Sequence, residues 1–116
     1  MANVVAIDDL PGGDAVRRFE GRDHGATASS YIVQAVPPGG GPVLHVHPYD
    51  ETFIVQDGQV TFTAGNRTIE AAAGQVVVVP GDTPHKFVNS GDGPLAMVTI
   101  HANDHMIQED LEEREG

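Results

Sequence analysis

The sequence contains no cysteine and no tryptophan, and only 5% of its 116 residues are aromatic. Without cysteine there is no disulfide framework, no thiolate nucleophile, no thiolate zinc site and no iron–sulfur cluster. With so few aromatics, a core has to be built mainly from Val, Ile, Leu and Ala. Cations are scarce too: 6 Lys and Arg stand against 17 Asp and Glu, a formal net charge of −11. That balance cannot neutralise a phosphate backbone or an anionic bilayer, so neither nucleic acid nor a membrane surface is an expected partner. No apolar run reaches membrane-spanning length. The first residues lack the basic start of a secretory signal, and Asp8 and Asp9 follow them, so the expected location is the cytoplasm.

Turn formers, by contrast, are abundant. Fourteen Gly and eight Pro in so short a chain indicate many short strands rather than a helix bundle. The length suits one domain, residues 1–116, and the 40% apolar content is enough for one core. The acidity is uneven. Residues 103–116 hold six acids and one Arg, which reads as a solvated helix face.

The apolar runs predict strands at residues 3–7, 30–36, 43–47, 51–56, 59–63, 67–70, 76–79, 85–89 and 95–101. Residues 11–28 read as a Gly- and charge-rich loop. Asp57-Gly58 is a hairpin signal, and Ala64-Gly65-Asn66 marks a second turn. The run Val76-Val77-Val78-Val79 is consistent with a strand buried on both faces. Met106, Ile107 and Leu111 fall at helical spacing, predicting a short C-terminal helix at about 104–114 with Asn103 or Asp104 as its cap. The pattern is that of an all-β antiparallel sandwich or barrel.

One constellation carries chemistry. His45 and His47 are two apart on a strand and share a face. A tight turn through Pro48-Tyr49-Asp50 can fold Glu51 back beside them, and His85 opens a later strand that could lie opposite. Three imidazoles and one carboxylate suit Fe, Mn, Ni, Cu or Zn as a divalent ion. A metal prefers neutral rings, so each should donate its other N–H to an acceptor outside the ligand set.

The punctuation around these residues is specific. Gly39, five residues, His45-Val46-His47, three residues, Glu51, six residues and Gly58 resembles the first motif of the cupin superfamily. Gly74, five residues, Pro80-Gly81-Asp82, two residues, His85, three residues and Asn89 resembles the second. Asp82 departs from it, standing where the pattern has Gly. The 15 residues between the motifs look like the short end of the family range, as in a small bacterial single-domain cupin. The resemblance implies a double-stranded β-helix, or jelly-roll barrel. It also implies His45, His47, Glu51 and His85 as ligands of one divalent transition metal. Cupins resembling this chain are often homodimers, with a first strand such as residues 3–7 joining the partner's sheet.

The implied function is a metal-dependent enzyme on a small organic molecule, foremost a dioxygenase-type oxidoreductase. The alternatives are a redox-neutral isomerase, lyase or cyclase, and a non-catalytic small-molecule-binding barrel. Catalytic candidates are Glu51, Tyr49 and His101. Tyr49 either lines the approach to the metal or packs at the corner. His101 shares a face with Thr99 and Met97. Facing inward it could be a proton shuttle or an outer partner of the ligands; facing outward it is a surface or interface residue, the preferred reading. His24 and His105 are expected in solvent, although His24 lies in a segment that could fold over a barrel mouth. Phe53 or Phe62 could wall a cavity, with core packing the simpler role. Arg67 or Lys86 could anchor a carboxylate, with a surface charge the simpler role.

Overall fold

The computed structural model describes residues 2–113. Ten strands follow one another: β1 (Val16–Phe19), β2 (Ser30–Val36), β3 (His45–Val46), β4 (Glu51–Asp57), β5 (Gln59–Ala64), β6 (Arg67–Ala72), β7 (Val76–Val79), β8 (His85–Asn89), β9 (Leu95–His101) and β10 (Glu109–Asp110). They form two five-stranded sheets, ordered β1-β2-β9-β4-β7 and β10-β3-β8-β5-β6. Every strand pairing is antiparallel. This is the jelly-roll barrel that the motifs imply.

The period-2 alternation decides what each strand turns inward. On β4, Glu51, Phe53 and Val55 are buried; on β9, Leu95, Met97, Thr99 and His101 are. The opposite sheet supplies Val60 and Phe62 from β5. The Phe53 and Phe62 rings meet edge to face at 4.8 Å and join the two layers. Burying each ring is worth about 1.5–3 kcal/mol.

Four expectations are corrected. Residues 3–7 form no strand: they pair with no sheet and lead into a 3-10 turn at Ile7–Asp9, with Val4 98% exposed. The first strand lies instead within the segment read as loop, where Val16 pairs with Val33 and packs on the core. Asp57-Gly58 joins no hairpin, because β4 and β5 belong to different sheets. Gly58 carries the kink between layers at φ 90°, and a Cβ there would press on the Pro94 carbonyl.

The valine run of β7 is buried on one face only; Val76 and Val78 stay 60% and 58% exposed. β7 is an edge strand whose outer face nothing covers among the described residues. Finally, residues 104–113 form no helix. They cross the barrel as an extended strap, with β10 paired to β3 and Leu111 N–H bonded to Leu44 O at 2.8 Å. Position 114 of the expected helix lies outside the described residues. Among the described residues, no helix is long and apolar enough to cross a membrane.

Candidate metal centre

The strand registers bring the chemistry together at one end of the barrel. His45 on β3 sits directly opposite His85 on β8, in one sheet. Glu51 on β4 sits directly opposite His101 on β9, in the other. The turn 47–50 carries the chain from one sheet to the other. It is clamped by the β7–β8 turn: Asp82 N–H donates to His47 O at 2.8 Å, and Gly81 N–H donates to Asp50 Oδ1 at 2.8 Å. Asp82 stands at φ 61°, the left-handed region that explains a Gly in the motif and that Asp tolerates better than most side chains. At the far end the Asn89 side chain ties the second motif to the end of β2 and to the turn at 91–93. Its amide donates to Val36 O and Gly93 O, both at 2.8 Å, and its oxygen accepts from Gly91 N–H at 2.9 Å.

His45, His47, Glu51 and His85 are all buried, and each turns one donor atom into a common space within 4.8 Å of the others. The proton positions follow from the outer contacts. Nδ1 of His45, His47 and His85 lies 2.8 Å from the carbonyls of Val43, Ile107 and Thr83 respectively. A carbonyl can only accept, so each Nδ1 carries a hydrogen, and in the neutral ring that a metal binds each Nε2 presents a lone pair inward. For His45 and His85 the acceptor is two residues upstream, a local arrangement built into both strand starts.

Those lone pairs face a carboxylate. Glu51 Oε1 is 3.0 Å from His85 Nε2 and 3.2 Å from His47 Nε2. The His47 contact is too bent to be a hydrogen bond, and its Nε2 is buried without one. Acceptors crowded against an anion are unfavourable unless a cation sits among them. Burial, the largest influence on His45, pulls it below its ordinary 6.5 and keeps that ring neutral, with His85 and His47 adding to the effect against the Val43 hydrogen bond. Burial is also the largest single influence on Glu51, pushing it up, but the contact with His101 leads the influences that hold it well below its ordinary 4.5. A neutral imidazole and an ionised carboxylate are the states a metal cation takes. The donor set therefore fits one divalent transition ion.

His101 is turned inward and fully buried, against the preferred surface reading. Its Nε2 is 2.9 Å from Glu51 Oε2 and its Nδ1 is 2.8 Å from Tyr49 Oη. Tyr49 stacks on the His47 ring at 5.1 Å and lies outside the cavity lining, so of its two readings packing at the corner fits. Burial, chiefly, pushes its phenol up to about 12. His24 is half-buried and stacks on Phe19 at 4.7 Å, outside the cavity lining, and His105 pairs with Asp104 at 2.7 Å. Lys86 pairs with Glu112 at 3.3 Å and Arg67 is exposed; neither reaches the site.

A cavity of about 330 Å³ opens beside the cluster and shares His45 and Glu51 with it. Val16, Val33, Val36, Phe53 and Phe87 make most of its wall, so Phe53 serves both core and cavity while Phe62 is core alone. Its polar side chains beyond the cluster are Tyr31, Thr99 and Gln108. The roles of Gln108 and of the Ile107 carbonyl carried no signal in the sequence, because they depend on a strap that its spacing predicts as helix.

A barrel with a buried three-histidine, one-glutamate cluster beside an apolar cavity defines a class of candidate mononuclear metal proteins. The family model described as the cupin domain matches residues 32–101, and the chain belongs to the cupin family. Protein SchB of Streptomyces halstedii is 34% identical over 111 residues, covering 83% of this chain and 80% of that protein. Polyketide synthase CurC of Streptomyces cyaneus is 33% identical over 75 residues, 64% of this chain and 49% of that protein. Among solved structures, the Lactobacillus farciminis oxalate decarboxylase formate complex superposes with a TM-score of 0.78 at 28% identity over 90% of this chain. This chain spans only 34% of that enzyme.

Proposed function

We propose that this chain is a metal-dependent enzyme acting on a small, largely apolar organic molecule by dioxygenase-type oxidation, with His45, His47, Glu51 and His85 as the ligands. The observation that carries the reading is the cavity that shares His45 and Glu51 with the cluster. A molecule held there lies against the donor set on one side and aliphatic and aromatic walls on the other. Among the described residues, the lining holds no Lys or Arg. That speaks against a small dianion such as oxalate, whose second negative charge would find no cationic side chain beside the metal. A neutral enol, diketone or phenol pays no such penalty.

Such a metal supplies Lewis acidity toward a substrate oxygen and, when redox-active, one-electron chemistry with dioxygen. The chain's own residues bind, orient and exclude water. Val16, Val33, Phe53 and Phe87 enclose the apolar body, while the Thr99 hydroxyl and the Gln108 amide stand at its polar edge. Of the titratable side chains in the lining, Tyr31 alone lies outside the cluster. This scarcity of free acids and bases favours chemistry centred on the metal. A redox-neutral cyclisation or isomerisation is the second reading, favoured by the similarity to a protein named as a polyketide synthase. Oxygen-electrode assays with diketones and phenols separate the two. Uptake that tracks substrate loss supports oxidation; substrate conversion with no oxygen consumed overturns it in favour of the second.

A further inference from the structure

We propose that His101 and Tyr49 are positioning residues that hold Glu51 so that it offers one oxygen, Oε1, to the metal; this rests on the metal-centre reading above. The two oxygens of Glu51 look in different directions. Oε1 faces His47 and His85 at 3.2 and 3.0 Å, whereas Oε2 faces His101 Nε2 at 2.9 Å. Because Glu51 and His101 are cross-strand partners on β4 and β9, the backbone register sets this pairing.

The proton on His101 is placed opposite to those of the other three rings. Tyr49 Oη accepts the Ile107 N–H at 3.3 Å, so its own hydrogen is free to go to His101 Nδ1 at 2.8 Å. Among the described residues, the other acceptor bonded to that hydroxyl is the Met106 sulfur at 3.9 Å, a weak one. With Nδ1 accepting, neutral His101 carries its hydrogen on Nε2, beside Oε2. The contact is bent rather than straight, since Nε2 makes no well-aimed hydrogen bond. His101 is also absent from the set of donors that converge within 4.8 Å. It is therefore a partner of the carboxylate and not a fifth ligand.

Tyr49 acts twice. It sets the His101 tautomer, and its ring lies flat against His47, 10° from parallel. The Ile107 backbone closes the ring of contacts, its N–H donating to Tyr49 and its carbonyl accepting from His47 Nδ1 at 2.8 Å. Glu51 and His47 are thus steadied from behind by one connected group. With Oε2 turned toward His101 at 2.9 Å, Glu51 would offer the metal Oε1 alone.

The test is a cobalt(II) titration of wild type, Tyr49→Phe, His101→Ala and His101→Gln, reading affinity and the visible absorption of the bound ion, with thermal melts of the metal-free proteins alongside. Tyr49→Phe and His101→Ala should each weaken cobalt binding about 10–100-fold and change the spectrum. His101→Gln, whose amide can still donate toward Oε2, should recover most of the affinity. Unchanged affinity and spectrum in Tyr49→Phe would overturn the proposal, and so would a Gln variant no better than Ala. Should His101→Ala fail to fold, Tyr49→Phe decides alone, since it keeps the packed ring. A wild type that binds no cobalt fails the metal-centre reading itself, a result distinct from any difference among variants.

Discussion

Two depressed proton affinities lie side by side in the cluster, and both act on stability in the same direction. Burial disfavours charge on His45, so an unfolded chain takes up a proton near the ordinary 6.5 before the folded one does. Glu51 is held below its ordinary 4.5, so its contribution is complete above that value and is lost as acid reaches the folded group. The metal-free protein should therefore melt at progressively lower temperature as pH falls from about 7 to about 5.5, with His45 responsible for the first part. In His45→Gln that early decline should flatten. A wild-type melting temperature indifferent to pH across that window would refute the assignment of a neutral, buried His45. The ligand residues were legible in the sequence because two of them stand two apart, a third follows after one tight turn, and Gly and Pro punctuate the rest at fixed spacing. His101 was not, since whether it faces inward depends on its register with Glu51, fifty residues away.

Elements in this fold take their fate from partners distant in sequence. Met106, Ile107 and Leu111 have helical spacing, yet their segment is extended because β3 offers an open edge and Leu44 O accepts the Leu111 N–H. Val76–Val79 has the composition of a buried strand, yet it closes a sheet at its edge. Asp57-Gly58 has hairpin residues, yet only the barrel's closure shows that the chain changes sheet there. Asn89 shows the same dependence: nothing in the sequence names its partners, and its three bonds join β8, the end of β2 and the turn at 91–93. Replacing it by Ala leaves the buried Val36 carbonyl without that donor. Asn89→Ala should cost about 2–4 kcal/mol in urea unfolding. A loss under about 0.5 kcal/mol would show that the joint does not depend on this side chain.

At the scale of the whole molecule, a net charge of −11 surrounds a cavity whose lining carries no Lys or Arg. Such a field draws cations toward the surface and repels small anions. It is consistent with a protein that gathers a metal ion and then a neutral organic molecule. The exposed aliphatics Ile54, Val76, Val78 and Ile100 lie on the outer face of the first sheet, away from that chemistry. The central claim is that the buried cluster holds a metal. Elemental mass spectrometry of untagged protein purified without oxygen, beside a His47→Ala control, tests it most directly. Stoichiometric iron, manganese or copper in the wild type, lost in the variant, is the predicted result. Zinc or nickel would keep the site and shift the chemistry to the redox-neutral reading. Wild type and variant equally free of metal would contradict the account.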